Sequence, residues 1–426
     1  MKTVNVGFLG CGNIGCGVYR LLQECGATMM ETEGVRFVVR KILVRDPSKP
    51  RAGVDTSLLT SDPAQVIDDA QIDIVMEFMG GEQPAADYLV RALKHGKSVV
   101  TANKMALALH WPRLQEAAKE TGAGVYFEAS VCGAIPIIRA LTDSLQANRI
   151  DSLMGIINGT TNYILTRMTR EGASYEAVLA DAQRLGLAEP DPTADVEGFD
   201  AQYKLSILSS LAFRTHIPVN VIYREGISRV SAMDIACGGE MGLCLKLLAV
   251  AKRDGSSVEV RVHPTFVPKT HPLASVSDAF NAVYVHGHAC GDMMFYGRGA
   301  GDAPTASALV SDLVKAAKAT EHSLPRFDIA GHVDPAITIC DDWTSTHFIR
   351  VLAADKPGVL AGIAGTFAGC GVGIASMVQK GECDAQGRVQ LVFLTHRASE
   401  KALKQALAQM DAHSVSVQSV IRVEGN

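Results

Sequence analysis

Residues Val4 to Leu9 form a short apolar run that leads directly into Gly10-Cys11-Gly12-Asn13-Ile14-Gly15, and Val18, Leu21 and Leu22 follow at helical spacing. No other feature constrains the fold as strongly. A buried strand, a glycine turn and a helix in that order begin a parallel sheet with crossover helices. Gly10 permits the tight turn, Gly12 lets the backbone approach a pyrophosphate, and Gly15 allows the helix to pack closely on the sheet. The free N–H groups and dipole of the helix then face negative charge. A glycine turn alone is also compatible with a plain strand-to-helix connection, but the order of elements here favours a dinucleotide site.

The same alternation continues to about residue 130. Phe37 to Val44, Ile72 to Phe78, Ser98 to Thr101 and Val125 to Phe127 are strand-like, with helix-like stretches at Ala85 to His95 and Trp111 to Thr121 that stop at Gly96 and Gly122. Buried strands alternating with helices predict a parallel sheet covered on both faces. From 131 to 304 the pattern becomes α+β. Helices are predicted at Ile135 to Leu145, Thr160 to Arg170, Tyr175 to Leu185 and Phe199 to Phe213, and strands at Ile150 to Ile157, Val258 to Phe266 and Ala282 to Val285. An amphipathic helix over 305–320 is expected to return to the first domain. Residues 321–346 read as a linker. Over 347–426 the order βαββαβ predicts a ferredoxin-like unit. The fold class is thus α/β, with three units, as about 150 residues per domain suggests for a chain of 426.

Composition narrows the function. The chain is 47% apolar with a net charge of −5, and no basic stretch resembles a nucleic-acid footprint, so a small-molecule partner is expected. Its ten cysteines show no paired metal-ligand spacing, which fits reduced thiols in the cytoplasm. No leader or apolar run of bilayer length is evident, so no membrane association is expected.

Four further stretches carry chemistry. The second strand ends at Arg45, which suits a 2′-phosphate and favours NADP, while the neighbouring Asp46 leaves NAD open. Lys104, in Thr101-Ala102-Asn103-Lys104, follows a strand at the edge where open α/β sheets bind ligands. Glu189, Asp191, Asp195, Glu197 and Asp200 place five carboxylates within twelve residues, followed by Lys204. Such repulsion needs compensation by a cation or basic side chains, although Asp200 and Lys204 alone could form a surface i, i+4 pair. Glu128 to Pro136 offers a carboxylate and carbonyls around a glycine turn, suited to a monovalent cation or to a simple strand-to-helix corner. Asn158 to Asn162 reads as a helix cap.

Together these pieces resemble the homoserine dehydrogenase family along essentially the whole chain. The resemblance rests on Gly10 to Gly15, Glu77-Phe78-Met79-Gly80-Gly81, Thr101 to Lys104, Glu128 to Ile137, Asn158 to Asn162, Gly186 through Lys204, and Arg298 to Gly301 with Pro304-Thr305-Ala306. It implies a Rossmann-type domain over 1–130, a catalytic and dimerisation domain over 131–304, and a C-terminal ACT domain with Asp355-Lys356-Pro357-Gly358 at its ligand loop. With no kinase region preceding it, the chain resembles the monofunctional form. The implied reaction is NAD(P)-dependent interconversion of L-homoserine and L-aspartate 4-semialdehyde, leading to threonine, isoleucine and methionine.

By the same resemblance Lys204 is the general acid/base and Lys104 touches both substrate and cofactor. Glu189, Asp195, Asp200 and Thr160 are implied at the substrate, and Gly10, Gly12, Asn13, Ile14, Gly15, Arg45, Gly186 and Gly301 at the cofactor. Glu128 and the carbonyls of Val131, Gly133 and Ile135 match a sodium site, where Cys132 replaces the usual glycine. Threonine is the implied ACT effector, and a homodimer or homotetramer the implied assembly. Two other readings compete: an acylating dehydrogenase with Cys132 as nucleophile, and a non-catalytic regulator that senses nucleotide and amino acid.

Overall fold

The computed structural model describes residues 2–319, 334–410 and 415–425. Six parallel strands make the first sheet: β1 (Lys2–Leu9), β2 (Val35–Leu43), β3 (Leu59–Thr60), β4 (Ile74–Glu77), β5 (Ser98–Thr101) and β6 (Val125–Tyr126), ordered β3-β2-β1-β4-β5-β6. The chain builds outward from β1 and then crosses to β4, so a crevice opens beyond the carboxyl ends of these two strands. Leu9 lies opposite Glu77, and Glu77 opposite Thr101, which brings the segments following β1, β4 and β5 to one edge.

Side chains alternate across each strand, and both faces are covered. Val4, Val6 and Phe8 pack with Val18, Leu22, Leu309 and Leu313. Leu9, Val75 and Val99 pack with Leu89, Leu93, Leu107 and Trp111 on the other side. Leu309 and Leu313 belong to helix Asp302–Lys318, which packs on helix Asn13–Glu33.

A second, mixed sheet is built from β7 (Ile150–Ile156), β8 (Tyr223–Arg224), β9 (Leu243–Asp254), β10 (Ser257–Pro268), β11 (Phe280–Gly287), β12 (Gly291–Arg298), β13 (Thr338–Ile339), β14 (Thr344–Ala354), β15 (Ile374–Lys380), β16 (Arg388–Thr395), β17 (Ala398–Ser399) and β18 (Val415–Val423). Its main path is β12-β11-β7-β9-β10-β18-β14-β16-β15. The C-terminal ferredoxin-like unit is therefore not a separate sheet: β18 pairs in parallel with β10 at Thr265–Arg422 and Phe266–Val423.

Several expectations change. Strands β9 and β12 and helix Ala232–Glu240 were not foreseen. The helix expected over Ile135 to Leu145 is a short α turn, Ile137–Arg139, followed by a π turn, Ala140–Ser144. The predicted linker is only partly a connector: residues 321–333 lie outside the described residues, but Thr338–Ile339 pairs with β10 and Trp343 is buried.

Helix Phe199–Phe213 positions the site. It is buried nearly all round, as expected for a helix enclosed on every side. It packs between the second sheet and helix Lys104–Thr121 of the first domain. That second helix starts seven residues before the predicted Trp111, because Asn103 caps it by accepting from Ala106 N at 3.0 Å. Lys104 is thus the first helical residue rather than a loop residue, and Pro112 is accommodated by a kink at His110.

Candidate active site

The glycine turn has room for a pyrophosphate. Gly12 is the N-cap of helix Asn13–Glu33 and offers no side-chain acceptor, leaving the amides of Asn13, Ile14 and Gly15 at an uncapped terminus. A Cβ on Gly12 would meet no atom within 4 Å, whereas one on Gly15 would lie 3.1 Å from the Gly10 carbonyl oxygen. Gly10 has φ +99°, which a side chain would strain. Open space over Gly12, with closed packing under Gly10 and Gly15, fits a bound dinucleotide. At the end of β2, Arg45 is exposed and forms no ion pair among the described residues. Asp46 instead accepts from Ser48 N at 2.9 Å and Ser48 Oγ at 2.6 Å. Gly301, with φ +114°, caps helix Asp302–Lys318, and Gly186 is exposed beyond helix Tyr175–Arg184.

The two lysines meet on one carboxylate. Gly198 in the left-handed region starts helix Phe199–Phe213, so Asp200 lies in its first turn and Lys204 one turn later on the same face. Lys204 Nζ lies 2.6 Å from Asp200 Oδ2 and donates to the Ile157 carbonyl at 2.8 Å. Lys104 Nζ lies 2.7 Å from Asp200 Oδ1. Burial would raise the Asp200 pKa, but the Lys204 and Lys104 charges outweigh it and hold the carboxyl well below its usual range. The Asp200 charge in turn raises Lys104, against the effect of burial. Lys204 is buried, at 9% exposed, whereas the Lys104 side chain is 38% exposed at the opening.

The acidic loop supplies the next layer. Asn158 Nδ2 donates to Asp195 Oδ1 at 2.7 Å and to Asp200 Oδ2 at 2.9 Å, while its Oδ1 accepts from Thr161 N at 2.9 Å. It therefore caps a helix, as predicted, and also ties the two acids together, which was not predicted. An amide can do both because it carries donor and acceptor. Asp195 is raised by burial, partly opposed by Asn158. Thr160 donates to the Leu187 carbonyl at 2.7 Å and so joins the start of helix Gly159–Glu171 to the loop after Gly186. Glu189 is exposed at the rim and touches neither lysine directly, although its charge helps to raise Lys104.

Glu77, the last residue of β4, is fully buried beneath this edge. Its Oε2 accepts from Thr101 Oγ at 2.5 Å and its Oε1 from Met79 N at 2.7 Å. The suspected cation loop is differently engaged. Glu128 accepts from Ile138 N at 2.8 Å and Arg139 N at 2.9 Å, with the Arg139 guanidinium 3.7 Å away. The two amides take half of the acceptor capacity of the carboxylate, and burial together with the Asp312 charge pushes Glu128 up to about 7. Cys132 stands at φ +57°, the left-handed geometry that favours glycine. Burial pushes its thiol up to about 11, so it stays protonated and unsuited to the nucleophile of an acylating enzyme. Among the described residues no helix is long and apolar enough to cross a membrane.

Comparison with known proteins covers all three units. Residues 10–128 match the family model of the homoserine dehydrogenase NAD-binding domain, residues 136–314 that of homoserine dehydrogenase, and residues 347–413 the ACT domain. Homoserine dehydrogenase from Bacillus subtilis is 40% identical over 430 residues, covering 100% of this chain and 99% of the relative. The crystal structure of the Thiobacillus denitrificans homoserine dehydrogenase superposes with a TM-score of 0.93 at 40% identity, covering 99% and 98% of the two chains. A hyperthermophilic archaeal homoserine dehydrogenase in complex with NADPH matches at a TM-score of 0.64 and 26% identity, covering 74% and 98%. The reading as a non-catalytic regulator is accordingly not favoured. The chain belongs to the homoserine dehydrogenase family, as an oxidoreductase acting on the alcohol group of homoserine with a nicotinamide cofactor.

Proposed function

We propose that Lys204 is the proton donor and acceptor in the interconversion of L-homoserine and L-aspartate 4-semialdehyde, with Lys104 and the Asp195–Asp200 acids binding substrate beside it. The carrying observation is the single Asp200 carboxylate shared by both lysines. When bound, the nicotinamide supplies or accepts the hydride at the substrate carbon. Lys204 Nζ has three N–H bonds, of which Ile157 and Asp200 take two. The third is free to give its proton to the aldehyde oxygen as that oxygen becomes an alcohol, and to stabilise the charge developing there. In the reverse direction the neutral amine takes the proton back. Asp195, Glu189 and Thr160 line the approach for the substrate ammonium, and Lys104 faces both substrate and cofactor.

NADP is the preferred cofactor in this proposal. Asp46 is committed to Ser48, whereas the exposed Arg45 is free to meet a 2′-phosphate. The archaeal relative's NADPH complex supports the same choice. Sodium enters no step; a cation here would rest on Glu128 and the carbonyls of Val131, Gly133 and Ile135. Threonine at the ACT unit and a homodimer or homotetramer complete the proposal; in support of assembly, the outer strand β12 exposes Met294 and Tyr296. Lys204→Met is expected to abolish turnover while NADPH affinity, measured by fluorescence titration, survives. Wild-type turnover in that variant removes Lys204 from the chemistry.

A further inference from the structure

The segments after β4 and β5 are joined by a buried network that ends one residue before Lys104. Asn103 N donates to Thr101 Oγ at 2.9 Å, and Thr101 Oγ donates to Glu77 Oε2 at 2.5 Å. Glu77 Oε1 also accepts from Met79 N at 2.7 Å and from Asn103 Nδ2 at 3.4 Å. Asn103 Nδ2 reaches across to the Gly81 carbonyl at 2.7 Å, and Asn103 Oδ1 caps the helix that Lys104 begins. Burial raises the Glu77 pKa, whereas the bonds from Thr101, Met79 and Asn103 favour the ionised form, which is acceptor-only and so fixes the direction of the Thr101 hydroxyl bond. The Thr101 hydroxyl points its proton at Glu77 and its lone pair at Asn103 N, which holds the backbone of the cap residue, while the Gly81 carbonyl and Ala106 N set its side-chain amide.

We propose that Glu77 is a positioning residue, which acts through Thr101 and Asn103 to hold Lys104 against Asp200. The inference rests on the reading of Lys104 given above. Glu77 reaches neither lysine, so its effect on turnover is transmitted by the start of the helix. Replacing the carboxylate by an amide keeps the volume but puts N–H groups where a second acceptor is required, which leaves either the Thr101 hydroxyl proton or the Met79 amide without a partner. The helix start then relaxes, and a displacement of about 1 Å at a reacting group costs about 100-fold in rate.

A double-mutant cycle tests this in the full-length enzyme. Glu77→Gln is expected to lower kcat by about 10- to 100-fold with KM for NADPH essentially unchanged. Thr101→Val should reproduce that loss, and Thr101→Ser, which keeps the hydroxyl, should restore kcat. On a Lys104→Met background Glu77→Gln should cause no further loss, because the residue it positions is absent. An equal additional loss on that background, or wild-type kcat in Glu77→Gln, overturns the positioning role. Wild-type kcat in Lys104→Met alone instead overturns the reading of Lys104. Should Glu77→Gln fail to fold, the Thr101→Val and Thr101→Ser pair decides the matter on the same network.

Discussion

Replacing Asp200 by asparagine removes the charge between two ammonium groups and leaves the side-chain shape intact. In the native site each lysine nitrogen lies within 2.7 Å of one oxygen of the same carboxylate, so the two nitrogens are about 6 Å apart. Two unit charges at about 6 Å, with an effective dielectric constant of about 20, repel by about 3 kcal/mol, or about two pKa units. Without the carboxylate no acid among the described residues bridges the two lysines, so the repulsion favours loss of one proton about two units below the usual lysine value of about 10.4, at about pH 8.4. The Asp200→Asn variant should therefore lose the general-acid contribution to reduction of aspartate semialdehyde, about 10²- to 10⁴-fold, as pH rises through about 8.4. The limb of the homoserine oxidation profile that reports the neutral base should move about two units toward acid. Both are read from pH–rate profiles followed by reduced-nicotinamide absorbance. Profiles that superpose on those of the wild type, with kcat unchanged, would refute the shared-carboxylate account.

Two substitutions address the cofactor half. Gly12→Ala places a methyl group where no protein atom lies within 4 Å and φ, at −83°, is unstrained. Unfolding should therefore fall by no more than the N-cap preference, about 1 kcal/mol, while KM for NADPH rises about tenfold or more; unchanged KM would place the pyrophosphate elsewhere. Arg45→Ala should reduce the ratio of kcat/KM for NADPH over NADH by about 10- to 100-fold, the worth of a charge-assisted hydrogen bond, and an unaltered ratio would free Arg45 from the 2′-phosphate.

The parts of the fold that bury one periodic face were legible in the sequence. The parallel strands and the βαββαβ unit announce themselves because each element alternates cleanly with a polar or glycine stop. Strand β9 was not legible: Leu243-Cys244-Leu245-Lys246-Leu247-Leu248-Ala249-Val250-Ala251 is nearly continuous apolar sequence, compatible with either a buried helix or a strand. Within the site, Lys104, Asp200 and Lys204 could be singled out by position, but their convergence could not, since it depends on helix Phe199–Phe213 packing against the helix that begins at Lys104. Asn158 looked like a cap because half of its side chain is one. Its other half meets acids 37 and 42 residues away, a relation that no local pattern encodes.

The same long-range logic joins the C-terminal unit to the acidic loop. Arg422 on β18 donates to both oxygens of Glu400 at 2.9 Å, to Glu225 at 2.5 Å and to the Tyr223 hydroxyl at 3.2 Å. His347 Nε2 lies 3.0 Å from Glu400, and burial of that carboxyl is outweighed by His347 and Arg422, which hold it well below its usual range. A guanidinium this deeply buried is costly to strip of any partner, so the Arg422–Glu225 pair couples β18 to the segment at Glu225. Glu225 leads into Gly226, where a Cβ would sit 2.6 Å from Glu197 Cα, and Ile227 N donates to the Val196 carbonyl at 2.8 Å. Val196 to Gly198 is the turn that separates Asp195 from Asp200. Close-packed contacts of this kind shift as units rather than deforming smoothly. The path ends at the turn between Asp195 and Asp200 and not at the glycine turn, so any displacement carried along it reaches the carboxylate shared by Lys104 and Lys204 first.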